Sequence, residues 1–192
     1  MALAAAQVLL EREGPEAVTT RAIAKAIGYT AGTLYNIFDD LEDLKLHVNA
    51  RSLDLLHEQL SRARRRAAAR AEATPIDVAM ALARAQLRFI QKHPALWQML
   101  FRYTLPSGRE VPDWFRSKVA ETIGELEQAI NPAFDGDLEA SRRQARMLWA
   151  AFYGICEIAS ITKLRLIALN EVEAMTRELV EGSLQRSPGD KG

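Results

Sequence analysis

The sequence predicts an all-α protein. Apolar residues recur at helical spacing along nearly the whole chain, strand signals are almost absent, and proline and glycine punctuate it at helix-length intervals. At 192 residues, with 48% hydrophobic and 26% charged side chains, the chain can bury a real core. That composition is neither disordered nor membrane-spanning. The formal net charge is zero, so bulk electrostatics supply no general attraction to nucleic acid.

The spacing predicts about nine helices. "MALAAAQVLLEREG" reads as an amphipathic helix rather than a signal peptide, because Glu11, Arg12 and Glu13 follow its apolar stretch and no basic segment precedes it. Gly14-Pro15 ends that helix, Thr19 or Thr20 caps a second, and Gly28 ends it. Thr30 caps a third. "FDDLED" starts a long fourth helix, capped by Asp39 or Asp40 and running to about Ala73. Thr74 and Pro75 open a fifth, which His93-Pro94 breaks. "ALWQMLFRYTL" is the sixth and "DWFRSKVAETIGELEQAI" the seventh. "LEASRRQARMLWAAFYGICEIASIT" is the eighth, and Asn170 caps a ninth reaching about Leu184. Short helices come first and longer ones follow, which divides the chain into a module over residues 1–45 and a helical body over residues 46–192.

The module has a specific internal logic. Ile23, Ala24 and Ile27 share one face of the second helix, and Leu34 and Phe38 lie one turn apart on the third. Gly28 permits an abrupt left-handed stop between the two helices. Ala31, Gly32, Thr33, Tyr35 and Asn36 are then left pointing outward. A tight turn, a buried stripe and an exposed second helix of small and polar residues make a helix-turn-helix grammar. Small residues let backbone approach base edges in a major groove, and a threonine offers a hydroxyl and a methyl together. The Thr20 and Tyr35 hydroxyls can donate to phosphates, and Arg21 can lay its fork on a guanine.

"TTRAIAKAIGYTAGTLYNIF", preceded by "AAAQVLLEREG", resembles the DNA-binding module of the TetR family of transcriptional regulators. The resemblance covers roughly the first 50 residues and keeps cap, turn glycine and "GTLY" in register. It implies a ligand-responsive homodimeric repressor that binds double-stranded operator DNA and is released by a small-molecule effector. By position, Thr20, Arg21, Thr30, Ala31, Gly32, Thr33, Tyr35 and Asn36 inherit the DNA-contact role. Ile37 and Leu41 stand where the family carries phosphate-touching polar residues. Lys45, one turn beyond Leu41, either takes over that contact or is a solvated lysine. The alternative reading is a helical small-molecule-binding or scaffold protein with a degenerate DNA-binding module.

In the body, aromatic residues concentrate in the sixth to eighth helices. An effector pocket there would be mostly apolar with a few polar groups. The candidates are Phe101, Trp114, Trp149, Tyr153, Cys156 and Glu157. Trp149, Tyr153 and Cys156 share a face, and Glu157 is an isolated carboxylate in an apolar run. It is either a pocket group or the partner of Lys163, Arg165 or another arginine. "LWAAFYG" is similar to the Trp-His-Gly signature of one TetR C-terminal subgroup, with Tyr153 at the histidine position. "RARRR", Arg62 to Arg66, reads as a solvated helix face. The last two long helices are the natural dimer interface.

Several classes are excluded. The single cysteine, Cys156, forms no intrachain disulfide, fits a reducing cytoplasm and reads as a buried small hydrophobe. No run is long and apolar enough to span a membrane. His47, His57 and His93 show no metal spacing, and there is no glycine-rich phosphate loop, so no metal or cofactor is implied. No base–nucleophile–orienter set points to an enzyme.

Overall fold

Side chains of Thr19, Asp40, Thr74 and Asp137 cap the starts of four helices, and Gly14 and Gly28 end two. The structure is a computed structural model and describes residues 1–160, 167, 168 and 170–185. Lys163 and Arg165, the sequence-suggested partners of Glu157, lie outside the described residues. The described chain contains nine α-helices and no strand: α1 (Ala2–Glu13), α2 (Thr20–Ile27), α3 (Ala31–Tyr35), α4 (Leu41–Ala68), α5 (Pro75–Lys92), α6 (Pro94–Arg102), α7 (Asp113–Ile130), α8 (Leu138–Ser160) and α9 (Val172–Leu184). Short 3-10 turns at Pro15–Ala17 and Asn131–Phe134 accompany them, each built on a proline.

Caps settle most of the boundaries. Thr19, rather than Thr20, is the α2 cap: its Oγ1 accepts the Ala22 N–H at 3.2 Å. Gly28 ends α2 at φ 76° and ψ 26°, the left-handed conformation that glycine adopts without penalty. Asp40, not Asp39, caps α4 by accepting the Asp43 N–H at 2.8 Å. At α5, Thr74 and Asp77 form a reciprocal box, with the Asp77 N–H donated to Thr74 Oγ1 and the Thr74 N–H donated to Asp77.

Four expectations are corrected. Thr30 occupies the N-cap position of α3, but its hydroxyl meets the Thr33 hydroxyl at 3.2 Å and caps no backbone N–H. Helix α4 stops at Ala68 rather than near Ala73, because residues 68–72 are all exposed and propensity alone does not hold so short an unpacked stretch. Helix α6 ends at Arg102, where Tyr103 turns extended ahead of Pro106. Glu171, not Asn170, sits at the α9 start, and its carboxylate accepts the Ala168 N–H at 2.7 Å.

The chain forms two compact units. Residues 1–56 with 89–119 make the first, and residues 57–88 with 120–192 the second. In the first, α1 packs on α2 and on α6, and α2 on α3. Leu10, Ile23, Leu34, Leu44, Phe89 and Leu96 form its interior. Asn49 donates from Nδ2 to the Met99 carbonyl at 3.2 Å, tying α4 to α6. In the second, Met80, Ile130, Leu148, Val180 and Leu184 share a core. A buried Glu125 there accepts from Arg64 Nε at 2.6 Å, so that its charge is paired as burial requires.

The α4 cap carries a pH consequence. The Asp43 N–H, and then the Arg109 guanidinium at 2.5 Å, hold the Asp40 carboxyl below the usual carboxylate range. A depressed folded-state pKa means this stabilisation is complete above the unfolded value of 3.8 and is lost as pH falls through the folded value. Acid titration of D40N against wild type, followed by circular dichroism, should therefore show a shallower loss of stability below about pH 4 in the variant.

Candidate nucleic-acid interface and ligand pockets

Helix α3 is five residues long and buries one of them. Leu34, 1% exposed, is inserted against α2, and Phe38 closes the same stripe one turn later. Because those two side chains fix the inward face, Gly32, Tyr35 and Asn36 stay exposed and Ala31 and Thr33 are half-buried. Tyr35 is 52% exposed and its hydroxyl lies 3.5 Å from Thr20 Oγ1, so the ends of α2 and α3 present their hydroxyls together. Arg21 is exposed beside them. The structure thus gathers Thr20, Arg21, Thr30, Ala31, Gly32, Thr33, Tyr35 and Asn36 on two adjoining short helices and their turn.

Gly32 is informative because the fold does not need it. A Cβ built there would meet only Thr30 Oγ1, at an ordinary 3.7 Å, and its φ lies outside the left-handed region. The absence of a side chain leaves room outside the protein, where a partner surface would approach. Tyr29, directly after the turn glycine, is exposed as well. Sequence reasoning does not single it out, although an aromatic residue next to a helix-stopping glycine was the available signal.

Lys45 sits differently. Its Nζ pairs with Glu42 at 3.2 Å and lies 5.3 Å from the centre of the Tyr103 ring, so it is engaged within the chain. Ile37 is 65% exposed and offers an apolar surface. Around the start of α4, Asp40 pairs with Arg109 and Asp43 lies 3.6 Å from His47. Part of the acidic charge of "FDDLED" is thereby answered locally.

The six pocket candidates do not gather round one cavity. Phe101 and Trp114 belong to the first unit, where Phe101 packs 4.0 Å from Trp97 and Trp114 stacks 4.7 Å from His47. Trp149, Tyr153, Cys156 and Glu157 belong to the second. There an apolar cavity bounded by Leu60, Leu82, Gln86, Trp149, Phe152 and Thr176 holds only about 30 Å³ of free space. That is one water's worth, well short of a typical ligand site of roughly 300–1,000 Å³. The aromatic side chains on α8 fill the space that their spacing suggests they would line. Cys156 is buried, and burial followed by the Glu157 charge pushes its thiol up to about 12. It is a core residue whose thiol burial keeps protonated. Glu157 and Tyr153 are half-buried.

A roomier pocket of about 300 Å³ lies in the first unit. Leu46, Asn49, Tyr103, Arg109, Val111 and Phe115 line it, between α4 and the segment that joins α6 to α7. Asn49 is 1% exposed, and its Oδ1 has no hydrogen-bond partner; the Tyr103 hydroxyl is buried and unpartnered too. Two orphaned polar atoms beside a pocket of mixed polar and apolar lining are what a ligand's polar groups would satisfy. Nothing in the linear sequence marks this pocket, because its lining converges from positions 46 to 115. Among the described residues no group of His, Cys, Asp and Glu is placed to hold a metal, and no helix is long and apolar enough to cross a membrane.

A buried stripe, a left-handed turn glycine and an exposed small-residue helix define a helix-turn-helix protein. Residues 2–48 match the model for bacterial regulatory proteins of the tetR family, and residues 79–182 match the tetracyclin repressor-like C-terminal domain. The chain belongs to the TetR family of transcriptional regulators. It is 29% identical over 152 residues to an uncharacterized HTH-type transcriptional regulator of Mycobacterium tuberculosis, a match taking in 78% of this chain and 64% of that protein. Among solved structures it is similar to a TetR transcriptional regulator from Rhodococcus sp. RHA1, with 18% identity, TM-score 0.64, and 95% and 93% of the two chains covered. It is also similar to Thermus thermophilus FadR, a TetR family repressor in complex with lauroyl-CoA, with 22% identity, TM-score 0.66, and 100% and 97% covered. At these identities the two structures speak for the fold alone.

Proposed function

We propose that the protein is a homodimeric repressor that holds operator DNA through α2 and α3 and releases it when a small, mostly apolar molecule binds. The observation that carries the reading is the outer face of α3, where small and hydroxyl-bearing side chains stand over one buried leucine and a glycine the fold itself does not require. In this reading residues 1–45 are the DNA-binding domain and residues 46–192 serve effector binding and dimerisation. Thr20, Arg21, Thr30 to Thr33, Tyr35 and Asn36 make the contacts, with Arg21 reading a base and the hydroxyls anchoring phosphates.

The effector site that the geometry supports is the pocket of Asn49 and Tyr103. A ligand there gains hydrogen bonds for two orphaned atoms and presses on α4 close to its junction with the reading head. A coupling of about 1–3 kcal/mol suffices for release. Dimerisation through α8 and α9 is supported by an apolar face left uncovered within the chain: Met147, Ala150 and Ile158 on α8 and Met175 on α9 are exposed. Gly154 and Gly182 are helical glycines around which no atom lies within 4 Å of a built Cβ, so packing within the chain does not ask for them. Small residues on such a face allow another backbone to approach.

Gly32→Ala tests the reading directly. Alanine should leave the fold as stable as wild type or raise its stability by up to about 1 kcal/mol. It should also weaken binding to the DNA upstream of the protein's own gene by about tenfold or more, since one misfitted base contact costs about 1–3 kcal/mol. Electrophoretic shift and thermal melting, run together, separate the two effects. The second reading, a ligand-binding protein with a degenerate reading head, is favoured by the engagement of Lys45 with Glu42 and Tyr103. It would be supported if wild-type protein shifted no operator fragment at low salt.

A further inference from the structure

A concentration of positive charge in the second unit lies in a groove between α4 and α5. Arg62 and Arg66 line one wall, Arg84 and Arg88 the other, and Arg70 stands at one end. Alanines floor it, and the free space is about 410 Å³, the size of a small-molecule site. This is a chain whose formal net charge is zero, so five guanidiniums around one concavity are a local concentration. The groove's carboxylate, Asp77, is committed to the Thr74 cap.

A solvated helix face usually mixes charges so that neighbours offset one another. Here only part of the charge is offset in that way. Arg62 and Arg66 are one turn apart on α4, as Arg84 and Arg88 are on α5, and like charges at that spacing destabilise a helix. The carboxylates that answer them act from beside the groove: Glu58 pairs with Arg62, and Glu173 with Arg84 at 2.6 Å. Among the described residues no ion pair engages Arg66, Arg70 or Arg88. The forks of Arg66 and Arg88 are free, while the Arg70 charge also acts on Asp77, and a guanidinium fork matches phosphate oxygens two at a time.

We propose that this groove is a binding site for a small molecule carrying two or more linked phosphate groups, separate from the operator and from the Asn49 pocket. Arg66, Arg70 and Arg88 grip the phosphate oxygens, and Arg62 and Arg84, already held by their glutamates, frame them. The alanine floor leaves the space that the ligand occupies. One molecule binds per chain, whether or not DNA is present.

Isothermal titration and thermal melting of the full chain with sodium tripolyphosphate and with ADP provide the test, against sodium chloride at equal ionic strength. Both probes, or either one, should bind with one site per chain and raise Tm beyond the chloride control. Binding of tripolyphosphate alone would identify the phosphate chain as the recognised group, and tighter binding of ADP would add the nucleoside to it. The triple variant R66Q/R70Q/R88Q alters exposed side chains only and should lose at least tenfold in affinity. R142Q/R143Q/R146Q removes the same charge from α8 and should bind like wild type. Equal loss in both variants would reduce the effect to net charge and overturn the proposal, as would failure of both probes to exceed chloride.

Discussion

Leu34→Ala is expected to destabilise the reading head by about 2–5 kcal/mol, the cost of a large-to-small substitution in a closed core. The reason is the brevity of α3. A five-residue helix cannot persist by propensity, since isolated helices under about 12 residues are marginal in water. Leu34 is the one buried side chain of α3, and Thr30 gives the helix no side-chain cap. Phe38 remains as the other inward residue, but it lies beyond the end of the helix. Removing the leucine should therefore release α3 from α2 while the second unit, which does not include this segment, keeps its own core. Hydrogen exchange would show early loss of protection at residues 30–38 with protection of α8 retained. Operator binding should fall below detection although most helical ellipticity survives. A variant that exchanged slowly at residues 30–38 and bound DNA normally would show that α3 is held by something other than Leu34.

The second large effect concerns assembly. In M147E/I158E two carboxylates replace apolar side chains on the uncovered face of α8, where Met147 is 58% exposed in the single chain. Neither side chain belongs to the buried core, so the chain should fold as before, with the helical signal intact. If α8 and α9 form the dimer interface, burying two charges against an apolar partner surface is prohibitive, and sedimentation should report a monomer. Operator affinity should then drop by about 10³-fold or more, because one reading helix retains little beyond its non-specific attraction to DNA. A variant that stayed dimeric would move the interface elsewhere. One that became monomeric with unchanged operator affinity would remove the need for pairing.

The reading head was legible in the sequence because its information is local. Thr19, Gly28, Leu34 and Phe38 act within a few residues of themselves, through a cap, a left-handed turn and a one-turn stripe. The helix boundaries at Gly14-Pro15, Thr74-Pro75 and His93-Pro94 follow from the same short-range chemistry. The pocket was illegible for the opposite reason. Aromatic spacing on α8 is the same whether a stripe lines a cavity or fills one, and the structure shows it filling nearly all the space. Asn49 lies on α4, and Tyr103 and Arg109 on the segment that joins α6 to α7; nothing in either stretch announces the other.

Lys45 marks the boundary between the two kinds of knowledge. Its position left a phosphate anchor and a solvated lysine both open, and only the folded chain brings the Tyr103 ring to it from 58 residues away. The arginines of α4 are a parallel case: as a linear run they resemble a solvated face, and α5 turns them into one wall of a groove. By itself the sequence determined the helical class, the punctuation and the turn that aims α3 outward, since these depend on backbone conformation and near neighbours. Tertiary structure alone decided which charges are answered, where space remains and which polar atoms are left without partners. Those properties belong to pairs of distant residues, and a pair has no address until the chain has folded.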